Sequence, residues 1–167
     1  MSGQHSPVIE FEHDDFECAG LDDELRVDEL CQSLLKRFYQ HMQINGHTPQ
    51  QASDLAYCAD LYVRDYVLDF ARQNIARPRR NMIRQFAATW YITHTLDPDI
   101  QVLQQHLAAI SELYRYLHGL HLISADELEF LLAEASDLDY YRRRVDSFLL
   151  IDTDGYIAWA AECPLNA

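Results

Sequence analysis

The chain has no run of about 20 apolar residues, and its first residues lack the basic-then-apolar order of an export signal. A membrane-spanning segment and a secretory leader therefore both fall outside expectation, and a cytoplasmic protein is expected. Cysteine is sparse: Cys18, Cys31, Cys58 and Cys163 form no C-x-x-C pair and are scattered over 167 residues, a length that needs no covalent stapling. They read as reduced thiols. Positive charge is scarce too, with 13 Lys and Arg against 27 Asp and Glu and a formal net charge of −14. A field of that sign repels nucleic acid and anionic lipid, which disfavours a general binder of either. G-x-S-x-G, H-E-x-x-H, the P-loop and the dinucleotide fingerprint are all missing, so no enzyme class is selected. No internal repeat or low-complexity linker divides the chain, and one core is expected.

Three clusters imitate metal sites without completing one. Asp152, Asp154, Gly155 and Ile157 follow the middle of a calcium-binding EF-hand loop. However, Leu150 stands where the first carboxylate belongs and Ala161 where the bidentate glutamate belongs, which leaves an ordinary Asp-Gly turn. His118 and His121 are separated by the helix-ending Gly119, and the spacing of His13, Asp14, Asp15, Glu17 and Cys18 fits no site. No metal, cofactor or catalytic residue is expected.

What the sequence does contain is helical periodicity. From Asp97 to Ile123, Ile100, Leu103, Leu107, Ile110, Leu113, Tyr114, Tyr116 and Leu117 cover roughly 200° of a helix surface, so this helix must be covered on several sides. Asp97 is read as its cap, Pro98 as its first turn and Gly119 as its left-handed stop. Val27, Cys31, Leu34, Phe38 and Met42 mark a first helix ending at Asn45-Gly46. Thr48-Pro49 opens a second, with a stripe of Leu55, Ala59, Tyr62, Tyr66 and Phe70, and Pro78 precedes a third through Met82, Ile83, Phe86, Trp90 and His94. Ser124 and Glu127 form a capping box ahead of Leu128, Leu131 and Leu132, and Asp137 starts a further helix through Tyr140, Tyr141, Val145 and Phe148.

The expectation is an all-α protein, a compact orthogonal bundle of about five to six helices over residues 25–150. Residues 1–24 are read as a mobile acidic arm, and residues 151–167 as a tail or small hairpin turning at Asp154-Gly155. The aromatic stripe of the second helix is read as core rather than as a base-stacking surface.

One local feature opposes the overall charge. No acidic residue occurs between Ala71 and Leu96, while Arg72, Arg77, Arg79, Arg80 and Arg84 concentrate positive charge there. Such arginines suit phosphate or partner contact through forked hydrogen bonds, or internal pairing with the surplus carboxylates, and the second reading is the stronger.

Phe38, Met42 and Gly46, followed by Thr48-Pro49 and Tyr57, are similar to the junction of the first two helices in the core-binding, SAM-like domain of tyrosine recombinases and phage integrases. Leu107 to Ile110, Leu113 to Leu117, and Leu122-Ile123 resemble that family's last core-binding helix. The resemblance covers roughly residues 30–123 and implies a helical DNA-gripping fold. In the family a catalytic domain comes next. Here Ser124-Ala125-Asp126 opens another helix with about 44 residues remaining, so recombinase activity is not carried over. The expected function is a non-catalytic helical interaction or regulatory module whose partner is another protein or a second copy of the chain. The alternative is a DNA-associated accessory module that uses the arginine block.

Overall fold

Local chemistry sets where each helix starts. The computed structural model describes residues 11–165. Helix α1 (Leu21–Ile44) opens after an extended Gly20, with Asp22, Asp23 and Glu24 in its first turn, where their charge complements the helix dipole. Thr48 then forms a reciprocal capping box: its hydroxyl accepts from the Gln51 amide (3.1 Å), while the Gln51 side chain accepts from the Thr48 amide (3.0 Å). Pro49 occupies the first helical position, where no backbone donor is needed. Helix α2 begins there (Pro49–Asp60) and runs on into a wide-turned π-helical stretch, Leu61–Phe70.

Helix α3 starts after a left-handed Asn81 (φ 72°) and comprises Met82–Gln85, a second π-helical stretch Phe86–Trp90, and Tyr91–Thr93. Helix α4 (Ile100–Gly119) is capped by Asp99, whose carboxylate accepts from the amides of Gln101 (2.6 Å) and Val102 (3.3 Å). The cap thus lies two residues beyond the expected Asp97. Gly119 ends the helix, but the left-handed position falls on His121 (φ 62°). Helix α5 (Ala125–Ala135) begins with the Ser124–Glu127 capping box, α6 (Leu138–Leu149) starts almost directly after it, and α7 (Tyr156–Glu162) closes the described chain.

These seven helices form an all-α bundle, and no strand occurs among the described residues. Helix α4 is its axis. Leu103, Leu107, Ala109, Ile110, Leu113, Tyr114 and Leu117 are all buried, and α1, α2, α5 and α6 pack around them. Each fully buried Leu or Ile contributes roughly 1.5–3 kcal/mol of transfer free energy, so this helix carries a large share of the core. Tyr62 and Tyr114 share a 2.7 Å hydrogen bond between buried hydroxyls, which ties α2 to α4 without leaving either polar group unmet.

Two expectations are corrected at the ends. No hairpin forms among the described residues after 150. The Asp152–Gly155 turn is present, with the Gly155 amide donating to the Asp152 carbonyl (2.9 Å), but it leads into α7. Ala158, Ala160 and Ala161 favour helix there, and Trp159 packs inward on Phe148 with ring centroids 4.9 Å apart. The acidic arm is not free over residues 11–24 either. Phe16, in a short 3-10 turn (His13–Phe16), is buried in the core. Arg26 donates to the carbonyls of Asp15 (2.8 Å) and Glu17 (3.0 Å), and Asn74 donates to the His13 carbonyl (2.8 Å) and the Glu17 carboxylate (3.0 Å). Residues 1–10 of the expected arm lie outside the described residues, as do residues 166 and 167 of the tail.

Candidate binding face

The arginine block does not form an open stripe. Arg72 pairs with Glu24 of α1 at 3.0 Å, Arg77 with Asp14 and Glu17 of the N-terminal segment, and Arg84 with Asp137 at 3.1 Å. Arg80 lies over the Phe130 ring at 4.7 Å and Arg84 over Tyr140 at 4.8 Å. Arg79 is exposed and makes no ion pair among the described residues. The backbone joins the same arrangement: the buried Glu134 carboxylate accepts from the amides of Asn81 (3.0 Å) and Arg84 (3.2 Å), and so caps α3 from α5. The block therefore works as a clasp. It draws the N-terminal segment, α1, α5 and α6 onto the connection between α2 and α3.

A different face has the features of a recognition surface. Tyr57 projects from α2 with 77% of its surface exposed, off the buried stripe of that helix. Three concavities adjoin it, of about 540, 380 and 360 Å³. The largest lies between α2 and α4, with Leu55 and Val102 as its apolar surface and Asp54, Gln51 and Gln105 at its rim. The second runs from Tyr57 to the two π-helical stretches and is lined by Asp60, Asp65, Trp90, Tyr91, His94 and Asp97. Val102 and His106 border both. No lysine or arginine lines either cleft.

The π-helical stretches gather the buried aromatic side chains that lie behind Trp90 in the wall of the second cleft. Their wide turns place Tyr62 and Tyr66 of α2 against Phe86 of α3, at centroid separations of 5.2 and 5.3 Å, with Tyr66 5.4 Å from Trp90. Trp90 stacks on His94 at 4.6 Å. Wide turns of this kind recur where a helix serves a binding or catalytic site.

Polar chemistry at this face is incomplete. Trp90 and His106 are both more than nine-tenths buried, yet Trp90 Nε1 and His106 Nδ1 have no hydrogen-bond partner among the described residues. Burial holds the His106 imidazole below its ordinary pKa, so the ring is neutral near pH 7. Partial burial, with the Asp60 carboxylate nearby, raises the Asp65 carboxyl above the ordinary carboxylate range. Burial also raises the Cys58 thiol in the larger cleft, which keeps it in its weakly nucleophilic protonated form. Among the described residues, no three His, Cys, Asp or Glu side chains are grouped to hold a metal ion.

Sequence reasoning missed this face. Tyr57 is conspicuous only as an aromatic out of phase with Leu55, Ala59, Tyr62 and Tyr66, and that signal was available. The convergence of Asp65, Trp90, Asp97 and His106 had none, because three helices and the connection between α3 and α4 supply them. No helix among the described residues is long and apolar enough to cross a membrane. No family model matches the chain, and comparisons with curated proteins and with solved structures likewise find no match.

Proposed function

We propose that this protein is a non-catalytic helical interaction module that engages another protein through the face centred on Tyr57. One observation carries the reading: a tyrosine 77% exposed stands where three concavities meet. Tyrosine is enriched among the residues that dominate binding energy at protein interfaces, because it brings large contact area and a polar tip at low entropic cost. The recombinase-like helix order enters this reading as a scaffold only. DNA gripping is the weaker use of that scaffold, since Arg72, Arg77 and Arg84 are already paired with carboxylates of the same chain.

Photo-crosslinking tests the proposal. A benzoylphenylalanine in place of Tyr57, in the cell that makes the protein, is expected to give a discrete adduct with another polypeptide. The same residue in place of the exposed Asp126, on α5, is expected to give none. Equal or absent adducts at the two positions would refute the reading.

A further inference from the structure

We infer that the face around Tyr57 docks a basic peptide segment, one that carries arginine or lysine together with an apolar anchor side chain. The inference rests on the interaction-module reading and names the partner's chemistry. Charge is the first argument. Asp54, Asp65 and Asp97 border the two larger clefts, which no lysine or arginine lines, while Asp60 beside them is already held by Arg64 at 3.1 Å, and the chain's net charge of −14 extends the same field outward. Such a surface steers cationic partners and rejects acidic ones. Asp65 makes this local: its carboxyl is held above its ordinary pKa, and a guanidinium or ammonium beside it would draw that pKa back down.

Apolar surface is the second argument. Leu55 and Val102 offer a trough of about 540 Å³ beside Tyr57, within the size range that holds a large side chain or a short segment. The third argument separates a peptide from a simple organic cation. Trp90 Nε1 is a donor without an acceptor, and His106 Nδ1 is likewise unmet. Both rings line the second cleft, and a peptide backbone, which presents a carbonyl and an N–H along one edge, would meet the two covered atoms once the rings turn toward it, while its side chains occupy the trough and face the aspartates. A polyamine has no acceptor for the indole.

The test uses the full chain and a phage-displayed library of random short peptides, followed by fluorescence anisotropy with the enriched sequence. Enriched peptides are expected to combine arginine or lysine with a large apolar residue. Tyr57→Ala should weaken their binding by about 10-fold or more, as should Asp65→Asn with Asp97→Asn. Asp146→Asn with Asp154→Asn, an equal charge change among exposed aspartates of other segments, should weaken it by less than about 2-fold if the field is local. Proton–nitrogen NMR should show the Trp90 indole signal shifting on peptide addition. That signal is one of only two indole resonances in the chain. No enrichment, enrichment of acidic or uncharged peptides, equal losses for the two aspartate pairs, a fixed Trp90 indole, or equal competition by spermidine would each overturn the inference. A crosslinked partner at Tyr57 that lacks a basic segment would overturn it while leaving the interaction-module reading in place.

Discussion

Arg144 is the sharpest test of how the last described helix is held. Its side chain is 1% exposed, and its guanidinium donates to the Ala88 carbonyl (3.0 Å), the Trp159 carbonyl (2.7 Å) and the Thr89 hydroxyl (3.1 Å) while lying 3.8 Å from the centre of the Trp159 ring. Arg144→Met keeps the aliphatic stem and removes every donor. Two buried carbonyls then lose a partner, at roughly 1–3 kcal/mol each, and the face of Trp159 loses its cation, at roughly 1–2 kcal/mol. The variant also escapes the desolvation of a buried guanidinium, the effect that lowers the Arg144 pKa, and this offsets several kcal/mol of that sum. A net loss of about 3 kcal/mol is expected. A domain of ordinary stability, roughly 5–15 kcal/mol, survives such a loss and remains measurable. Urea unfolding followed by circular dichroism reads the global change, and fluorescence reads the release of Trp159. Arg144→Lys should recover less than half of the loss, because one ammonium does not reproduce the planar fork. A loss below about 1 kcal/mol for Arg144→Met, with Trp159 emission unchanged, would refute the claim that this guanidinium anchors α7 to α3.

Leu107→Ala and Ile110→Ala should each cost about 2–5 kcal/mol in urea unfolding, since both side chains are buried on α4, and losses below about 1 kcal/mol at both would displace that helix from the core. Phe16→Ala should cost about 3 kcal/mol, which separates the docked segment from a free arm; an unchanged unfolding midpoint would restore the arm. His106 has a folded pKa held below its ordinary 6.5, so its contribution to stability is present above that value and is lost as pH falls through it toward the folded pKa. The urea midpoint should therefore drop more between about pH 7.5 and about pH 5.5 in the parent than in His106→Gln, and parallel curves would contradict this. Gel-shift titration should detect no appreciable binding to duplex DNA at about 0.15 M salt, where the Debye length of about 8 Å confines any attraction from Arg79 or Arg80 to near contact; tight binding lost on Arg79→Ala with Arg80→Ala would reverse the ranking of the two functional readings.

The features legible in the sequence are local ones. The Thr48-Pro49 and Ser124–Glu127 starts depend on residues within one turn, and both are realised as expected. The α4 cap falls on Asp99 rather than the expected Asp97; both carboxylates precede an apolar run, and only the backbone path around the buried Pro98 chooses between them. The C-terminal hairpin fails for a related reason. An Asp-Gly turn signals a reversal, but the helix beyond it is decided by Trp159 finding Arg144 and Phe148 on α6. The arginine block is visible as a block, and internal pairing is the stronger of its two readings. Its partners are not visible, since Asp14, Glu17 and Asp137 lie more than fifty residues away in the chain. The binding face is less legible still, because its chemistry is assembled across α2, α3 and α4 and only Tyr57 leaves a trace in the periodicity.

The two π-helical stretches carry a consequence for how this chain tolerates changes in length. In each, a backbone amide reaches back five residues rather than four, as Ala71 does to Tyr66 and Tyr91 to Phe86, so each turn holds a residue that an ordinary helix would not. Deleting Ala87 would remove that extra residue and let α3 rewind to ordinary helix, so that everything beyond it would keep nearly its present direction relative to Phe86. Trp90 would stay close to Tyr66 and His94, and the wall of the second cleft would keep its register with Asp65. Length changes in the Asp152–Gly155 turn would shift only the approach of α7. Single-residue deletions in Leu61–Phe70 or Phe86–Trp90 should therefore be absorbed more readily than the same deletions in the regular turns of α1 or α4, each of which would rotate everything beyond it by about 100°.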